Sequence, residues 1–241
     1  MGGMAGAGGG GGGSGSGVLV WLVVVVLAVA LAGVIVYYVL KIHPKLGIES
    51  FERGEAKTTP RTTEGDGKTQ LLDTHDVTCD PNGLQRFRLS RDGAGNSGYS
   101  YTCTKGVDLG AEQTKNTAFN DNGQGNNIFL DRHDVSCDPG SVLTRFKLTQ
   151  NPDAAANQYR YDYSCRPLPK GELECRDVSS VPCHGWCAGD DGGGLSWFLD
   201  RHDVMCDSNE ALSRFRLTRP TTATIGYNYK CCKVTKPTAD S

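Results

Sequence analysis

The sequence predicts an all-β domain of three similar units, stapled by disulfides and carried behind one N-terminal transmembrane helix. Three observations predict it. Residues Val18 to Leu40 form an uncharged apolar run, period-2 segments recur three times between Leu71 and Cys231, and all ten cysteines lie between Cys79 and Cys232. The chain has 241 residues, 38% of them hydrophobic, and the apolar run takes 22 of these in 23 positions. What remains supports one modest soluble domain rather than a large multi-domain enzyme. A net charge of −2 offers no basic field for nucleic acid.

The first 17 residues include 11 glycines and no charge, and are expected to be a disordered tail. Residues 18–40 are read as a transmembrane helix. At ~1.5 Å per residue, 23 residues reach about 34 Å, enough for a bilayer core of ~30 Å. Trp21, Tyr37 and Tyr38 sit near its ends, where amphipathic rings favour the interface. A cleaved signal peptide fits less well, because no Lys or Arg precedes the run and the run exceeds a usual h-region. Residues 41–68 are polar, contain Pro44 and Pro60, and are read as a stalk.

A threefold repeat fills residues 69–232, in units of about 69–110, 127–166 and 196–232 with an insertion at 166–195; 233–241 is a tail. The box Leu71-Leu-Asp-Thr-His-Asp-Val-Thr-Cys79 recurs at Phe129–Cys137 and Phe198–Cys206. A second element follows each box: Arg86-Phe-Arg-Leu89, Arg145-Phe-Lys-Leu148 and Arg214-Phe-Arg-Leu217. A third closes each unit: Tyr99-Ser-Tyr-Thr-Cys103, Tyr161-Asp-Tyr-Ser-Cys165 and Tyr227-Asn-Tyr-Lys-Cys231. Alternation within each element reads as short half-buried strands between turn residues. Three such units suggest a pseudo-threefold β-prism or trefoil-like domain, with a β-sandwich as the alternative.

The run of Cys, Leu, Phe-x-Leu and Tyr-x-Tyr-x-Cys, three times over residues 69 to 232, resembles the vitelline membrane outer layer protein family. That resemblance implies a β-prism fold. The His-Asp-Val box departs from the family pattern, so the family's carbohydrate activity is not carried over. The membrane anchor with such a domain also resembles small membrane-anchored structural proteins of large algal DNA viruses.

One cysteine follows each box and one ends each Tyr-x-Tyr strand. The simplest pairing is Cys79–Cys103, Cys137–Cys165 and Cys206–Cys231, each closing a loop worth about 3 kcal/mol in the chain-entropy model. Cys232 adjoins Cys231 and is open as its substitute. Cys175, Cys183, Cys187 and Cys232 are read as two further disulfides; the competing reading is zinc on Cys175, Cys183, His184 and Cys187.

His75, His133 and His202 occupy matching positions, 58 and 69 residues apart. Three converging imidazoles would make a metal site, but a half-buried structural role is preferred, and no metal or other cofactor is assigned. The acids beside them, Asp73/Asp76, Asp131/Asp134 and Asp200/Asp203, read as turn and strand-end hydrogen-bonders, so no catalytic residue is assigned. Arg86, Arg88, Arg145, Lys147, Arg214 and Arg216 form a repeated basic stripe which, with Trp186 and Trp197, is the candidate protein-docking surface.

Ten cysteines call for an oxidising compartment, whereas Lys41 and Lys45 after the span place the domain in the cytosol by the positive-inside rule. A virion assembled in the cytoplasm around an internal membrane satisfies both. The expected function is therefore a membrane-anchored structural or adaptor protein, a minor capsid or membrane protein linking that membrane to a shell. Its partners would be the lipid bilayer and capsid subunits. The alternative is a cell-surface lectin-like ectodomain that binds carbohydrate or protein.

Overall fold

The computed structural model describes residues 15–37, 49–63, 65–180, 192–221 and 224–235, with helix side chains described at Trp21 and Val24–Tyr37. The chain divides into two compact units, Met1–Gly47 and Ile48–Ser241.

The first unit contains helix α1 (Gly15–Tyr37), 23 residues with no charge in its first or last turn. It begins three residues before the apolar run, and Tyr38, Val39 and Leu40 lie outside the described residues. Its described large side chains, from Trp21 to Tyr37, are all exposed. Among the described residues, no helix is long and apolar enough to cross a membrane.

The second unit is mostly β. Its strands are β1 (Glu52–Thr58), β2 (Thr62–Thr63), β3 (Asp76–Thr78), β4 (Leu84–Arg91), β5 (Asn96–Lys105), β6 (Gln113–Asn116) and β7 (Asn120–Asp121). They continue as β8 (Asp134–Ser136), β9 (Ser141–Gln150), β10 (Gln158–Pro167), β11 (Glu172–Ser179), β12 (Val204–Met205), β13 (Ala211–Thr221) and β14 (Thr224–Thr235). They form three antiparallel sheets. The first has the order β1-β5-β4-β12 with β2 also on β5, the second β3-β9-β10-β6 with β7 also on β10, and the third β11-β14-β13-β8. Each centres on a hairpin (β4–β5, β9–β10 or β13–β14) built from the second and third repeated elements.

Each hairpin is flanked on both sides, and only one flank was legible as a strand. The His-Asp-Val boxes supply β3, β8 and β12, but each box begins as a six-residue 3-10 turn: Thr69–Thr74, Asn127–Arg132 and Ser196–Arg201. The turn folds Leu72, Leu130 and Leu199 into the core. Each following histidine closes it with an N–H to leucine carbonyl bond of 3.2 Å. Alternation therefore starts only at the histidine, where His133 and Val135 are both buried.

The other flank corrects the domain boundaries. The span read as a stalk enters the fold at Phe51, which is 1% exposed. β1 then pairs with β5 from Glu52 opposite Lys105 to Thr58 opposite Ser100. Likewise β11, inside the presumed insertion, pairs with β14 along eight residues, from Glu172 opposite Thr235 to Ser179 opposite Asn228. These are edge strands, largely exposed on both faces. They carry no apolar alternation, and their polarity reads as linker.

The core is aromatic at its centre. Phe87, Phe146 and Phe215, one per hairpin, meet pairwise at centroid distances of 4.8, 4.9 and 5.0 Å. Tyr99, Tyr161 and Tyr227 each pack edge-on against two of these rings. Edge-to-face packing places positive ring edges on negative faces and adds to area burial. A smaller cluster of Phe51, Val107, Val142 and Ala211 lies beside it.

Candidate functional site

The repeated polar residues are used where one sheet joins the next. β3 leaves its own hairpin and pairs with β9, β8 pairs with β13, and β12 returns to pair with β4. Each crossing brings the Asp of a box against an Arg of another unit's hairpin. Arg145 donates through Nε and Nη2 to Asp76 at 2.8 and 2.6 Å. Arg214 reaches Asp134 at 2.8 and 2.8 Å, and Arg86 reaches Asp203 at 2.8 and 2.5 Å. The planar fork matches the carboxylate in two parallel bonds, which fixes geometry as well as charge. The facing carboxylates raise all three guanidinium pKa values, chiefly by hydrogen bonding.

This changes the reading of the basic stripe. Arg86, Arg145 and Arg214 are neutralised by the seams. Arg88 and Arg216 donate Nε to the carbonyls of Asp200 and Asp131 at 2.7 and 2.9 Å. Lys147 is half-buried in a groove with Arg145, Lys115 and Asp162. Trp197 is half-buried against the loop at Gly67, where a Cβ would stand 2.6 Å from its ring, and the Arg91 guanidinium lies over it at 5.2 Å. Trp186 lies outside the described residues.

The three histidines do not converge on one another. Each hydrogen-bonds through Nδ1 to a hydroxyl just after an edge strand: Thr59 for His75 (3.1 Å), Thr117 for His133 (2.9 Å) and Ser180 for His202 (3.4 Å). The same hydroxyl accepts the backbone N–H of Tyr99, Tyr161 or Tyr227 at 2.9, 3.0 and 2.8 Å. Thus each histidine ties an edge strand to the inner face of its hairpin. Burial lowers the His75 pKa and, with Arg132 adding repulsion, pushes that of His133 down to about 4. Sequence reasoning missed these hydroxyl partners. The spacing carried a signal, since Thr59 and Thr117 each stand 16 residues before their histidine.

Cys79–Cys103, Cys137–Cys165 and Cys206–Cys231 form as their spacing predicts. Cys175 bonds Cys232, which removes it from the competing zinc set and settles that Cys231 is the partner within the repeat. Cys183, Cys187 and His184 lie outside the described residues. Among the described residues, the one group with metal-ligand proximity is Cys206, Glu210 and Cys231. Its two sulfurs are bonded to each other and offer no thiolate.

Open polar grooves remain on the outer sheet faces. One, of about 250 Å³, is lined by Lys57, Arg86, Ser100 and Tyr101; another, of about 260 Å³, by Lys115, Arg145, Lys147 and Tyr163. No protein-family model, curated protein or solved structure matches this chain.

Proposed function

We propose that this chain is a membrane-anchored structural or adaptor protein, in which a rigid pseudo-threefold β-prism domain is presented at a bilayer surface. The observation that carries the reading is the segregation of exposed apolar surface. Of twelve large hydrophobic side chains exposed among the described residues, eleven lie on α1 and only Met205 lies in the β domain. Exposed apolar surface concentrated on one uncharged helix calls for an apolar environment, and the sequence run Val18–Leu40, which extends three residues past the described helix, has the length a bilayer core asks for. The β domain spends its conspicuous polar groups on its own seams. Its three box histidines, Asp76, Asp134 and Asp203, and Arg86, Arg145 and Arg214 are paired internally, which supports a scaffold rather than an enzyme.

With Phe51 already in the fold, 13 residues, 38–50, separate it from Tyr37. At ~3.5 Å each they reach about 45 Å at most. A tether of that reach suits holding a membrane near a protein shell. A virion setting, with capsid subunits as partners, keeps the lysine bias and the disulfides compatible. The test is alkaline carbonate extraction of the full chain followed by crosslinking. Retention in the membrane pellet with crosslinks to a protein shell supports the reading; release without detergent overturns it.

A carbohydrate-binding ectodomain is the second reading. The related grooves on two sheets, polar and open with a tyrosine in each, favour it. A saturable sugar-array signal lost on Ser100→Trp would establish it.

A further inference from the structure

The Cys175–Cys232 bond differs from the three bonds inside the repeats in place, exposure and surroundings. Cys175 and Cys232 stand directly opposite each other on β11 and β14. Cys175 is exposed, whereas Cys232 is fully buried. In the other three bonds no cysteine is exposed, and five of the six are buried. The corresponding ladder position on β1 and β5 is held by Arg53 opposite Thr104. On β10, Arg166 follows Cys165 where Cys232 follows Cys231. Two of the three sheets therefore form without this crosslink.

The exposed Cys175 belongs to a groove. About 400 Å³ of open space is lined by Leu173, Cys175, Ser213, Arg214 and Lys230, beside the turn at Asp138–Ser141 and the half-buried Cys137, whose bond to Cys165 is the intra-repeat one nearest the groove. Ser213 Oγ lies 3.3 Å from Cys232 Sγ. A sulfur already in a disulfide has no proton, so the serine hydroxyl donates. Lys230 brings an ammonium to the same groove, 3.6 Å from Asp177.

From this geometry we infer that Cys175–Cys232 is a thiol-exchange site: the disulfide that a dithiol of the Cys-x-x-Cys kind reduces while the three intra-repeat bonds stay closed. The reagent's thiolate enters from the groove and attacks Cys175 Sγ. A new sulfur–sulfur bond forms there, the Cys175–Cys232 bond breaks, and its electron pair leaves on Cys232. The buried thiolate is received by the Ser213 hydroxyl. The reagent's second thiolate then attacks its own sulfur in the mixed disulfide and releases Cys175. The reagent loses two electrons and becomes a disulfide; its two protons end on Cys175 and Cys232. Exposure of the attacked cysteine and stabilisation of the leaving thiolate both accelerate exchange. Reduction frees the edge strand β11 from its covalent tie, while the ladder to β14 and the Ser180–His202 bond still hold it.

The test uses the full chain in detergent micelles and graded dithiothreitol, with free thiols alkylated and mapped by mass spectrometry. Cys175 and Cys232 are expected to label together at about tenfold lower dithiothreitol than Cys79, Cys103, Cys137, Cys165, Cys206 and Cys231. Ser213→Ala is expected to slow that first step without changing the later ones. Simultaneous labelling of these eight of the ten cysteines, or earlier labelling of any intra-repeat pair, overturns the assignment. So does a Ser213→Ala chain that is reduced at the unaltered rate. A Cys175→Ser/Cys232→Ser chain is expected to keep its cooperative melt and show no labelling of the six intra-repeat cysteines at low reductant; loss of that melt would assign the bond to folding instead.

Discussion

Helix α1 and the β domain treat apolar residues in opposite ways. On the helix, valine and leucine face outward along the described length; in the domain, Phe87, Phe146 and Phe215 meet at the centre and the surface is polar. Both arrangements obey the same rule, that apolar surface leaves water. Among the described residues the large side chains of the helix are all exposed, and in the proposed reading a bilayer supplies the apolar phase. The domain supplies its own, and has spare polar groups to close three seams.

The largest expected effect separates the two regions. Phe215→Ala opens a cavity where three rings meet and should cost about 3–5 kcal/mol of domain stability. Denaturant unfolding of the variant should show that loss, with membrane extraction of the full chain unaltered. Altered extraction would mean the two regions are coupled.

The converse change is Val29→Arg, which places a guanidinium within α1. It should cost ~2.5–3.5 kcal/mol of membrane insertion and shift the chain toward the soluble fraction while the domain's melting temperature stays constant. An unshifted distribution in a flotation gradient would show that the helix packs against protein instead of lipid.

Within the domain, Arg145→Met leaves Asp76 without its fork at the seam between the first two units. Both side chains are more than a third exposed, so solvent screening keeps the expected loss to about 1 kcal/mol. A melt that resolves into two transitions would reveal the seam as the cooperative link between sheets.

The smallest effect is one of pH. His133 has its pKa pushed down to about 4 from the ordinary 6.5, because burial disfavours the imidazolium. The unfolded chain therefore binds the extra proton between those values. Stability should fall as pH drops from about 6.5 toward about 4 and be flat above neutrality. His75 shifts in the same direction. His133→Gln should flatten that slope in melts across the range. An unchanged slope would overturn the assignment of that acid sensitivity to His133.

Parts of this were legible in the residues. The hairpins were, because Phe146 and Leu148 alternate with Arg145 and Lys147, and burial on one face writes itself as period 2. The edge strands β1 and β11 were not, since a strand exposed on both faces has no alternation to read. The internal pairing of the basic stripe was not legible for a related reason. Arg145 looks unpaired beside its chain neighbours, and its carboxylate, Asp76, stands 69 residues away.

By itself, the sequence determined what repeats and what is covalent: three boxes, three hairpins, and cysteines at strand ends whose separations of 24, 28 and 25 residues favour closure within each unit. These are local properties, set by side-chain alternation and short loops. Only the tertiary structure decided the partnerships across units. It placed β3 on β9, β8 on β13 and β12 on β4, and so joined one aspartate of each box (Asp76, Asp134 and Asp203) to another unit's arginine and left Cys175 at the surface. Three similar units present similar edges, and composition does not say which edge meets which. That choice is made when the three phenylalanines pack together, since burying them in one core fixes how the sheets meet.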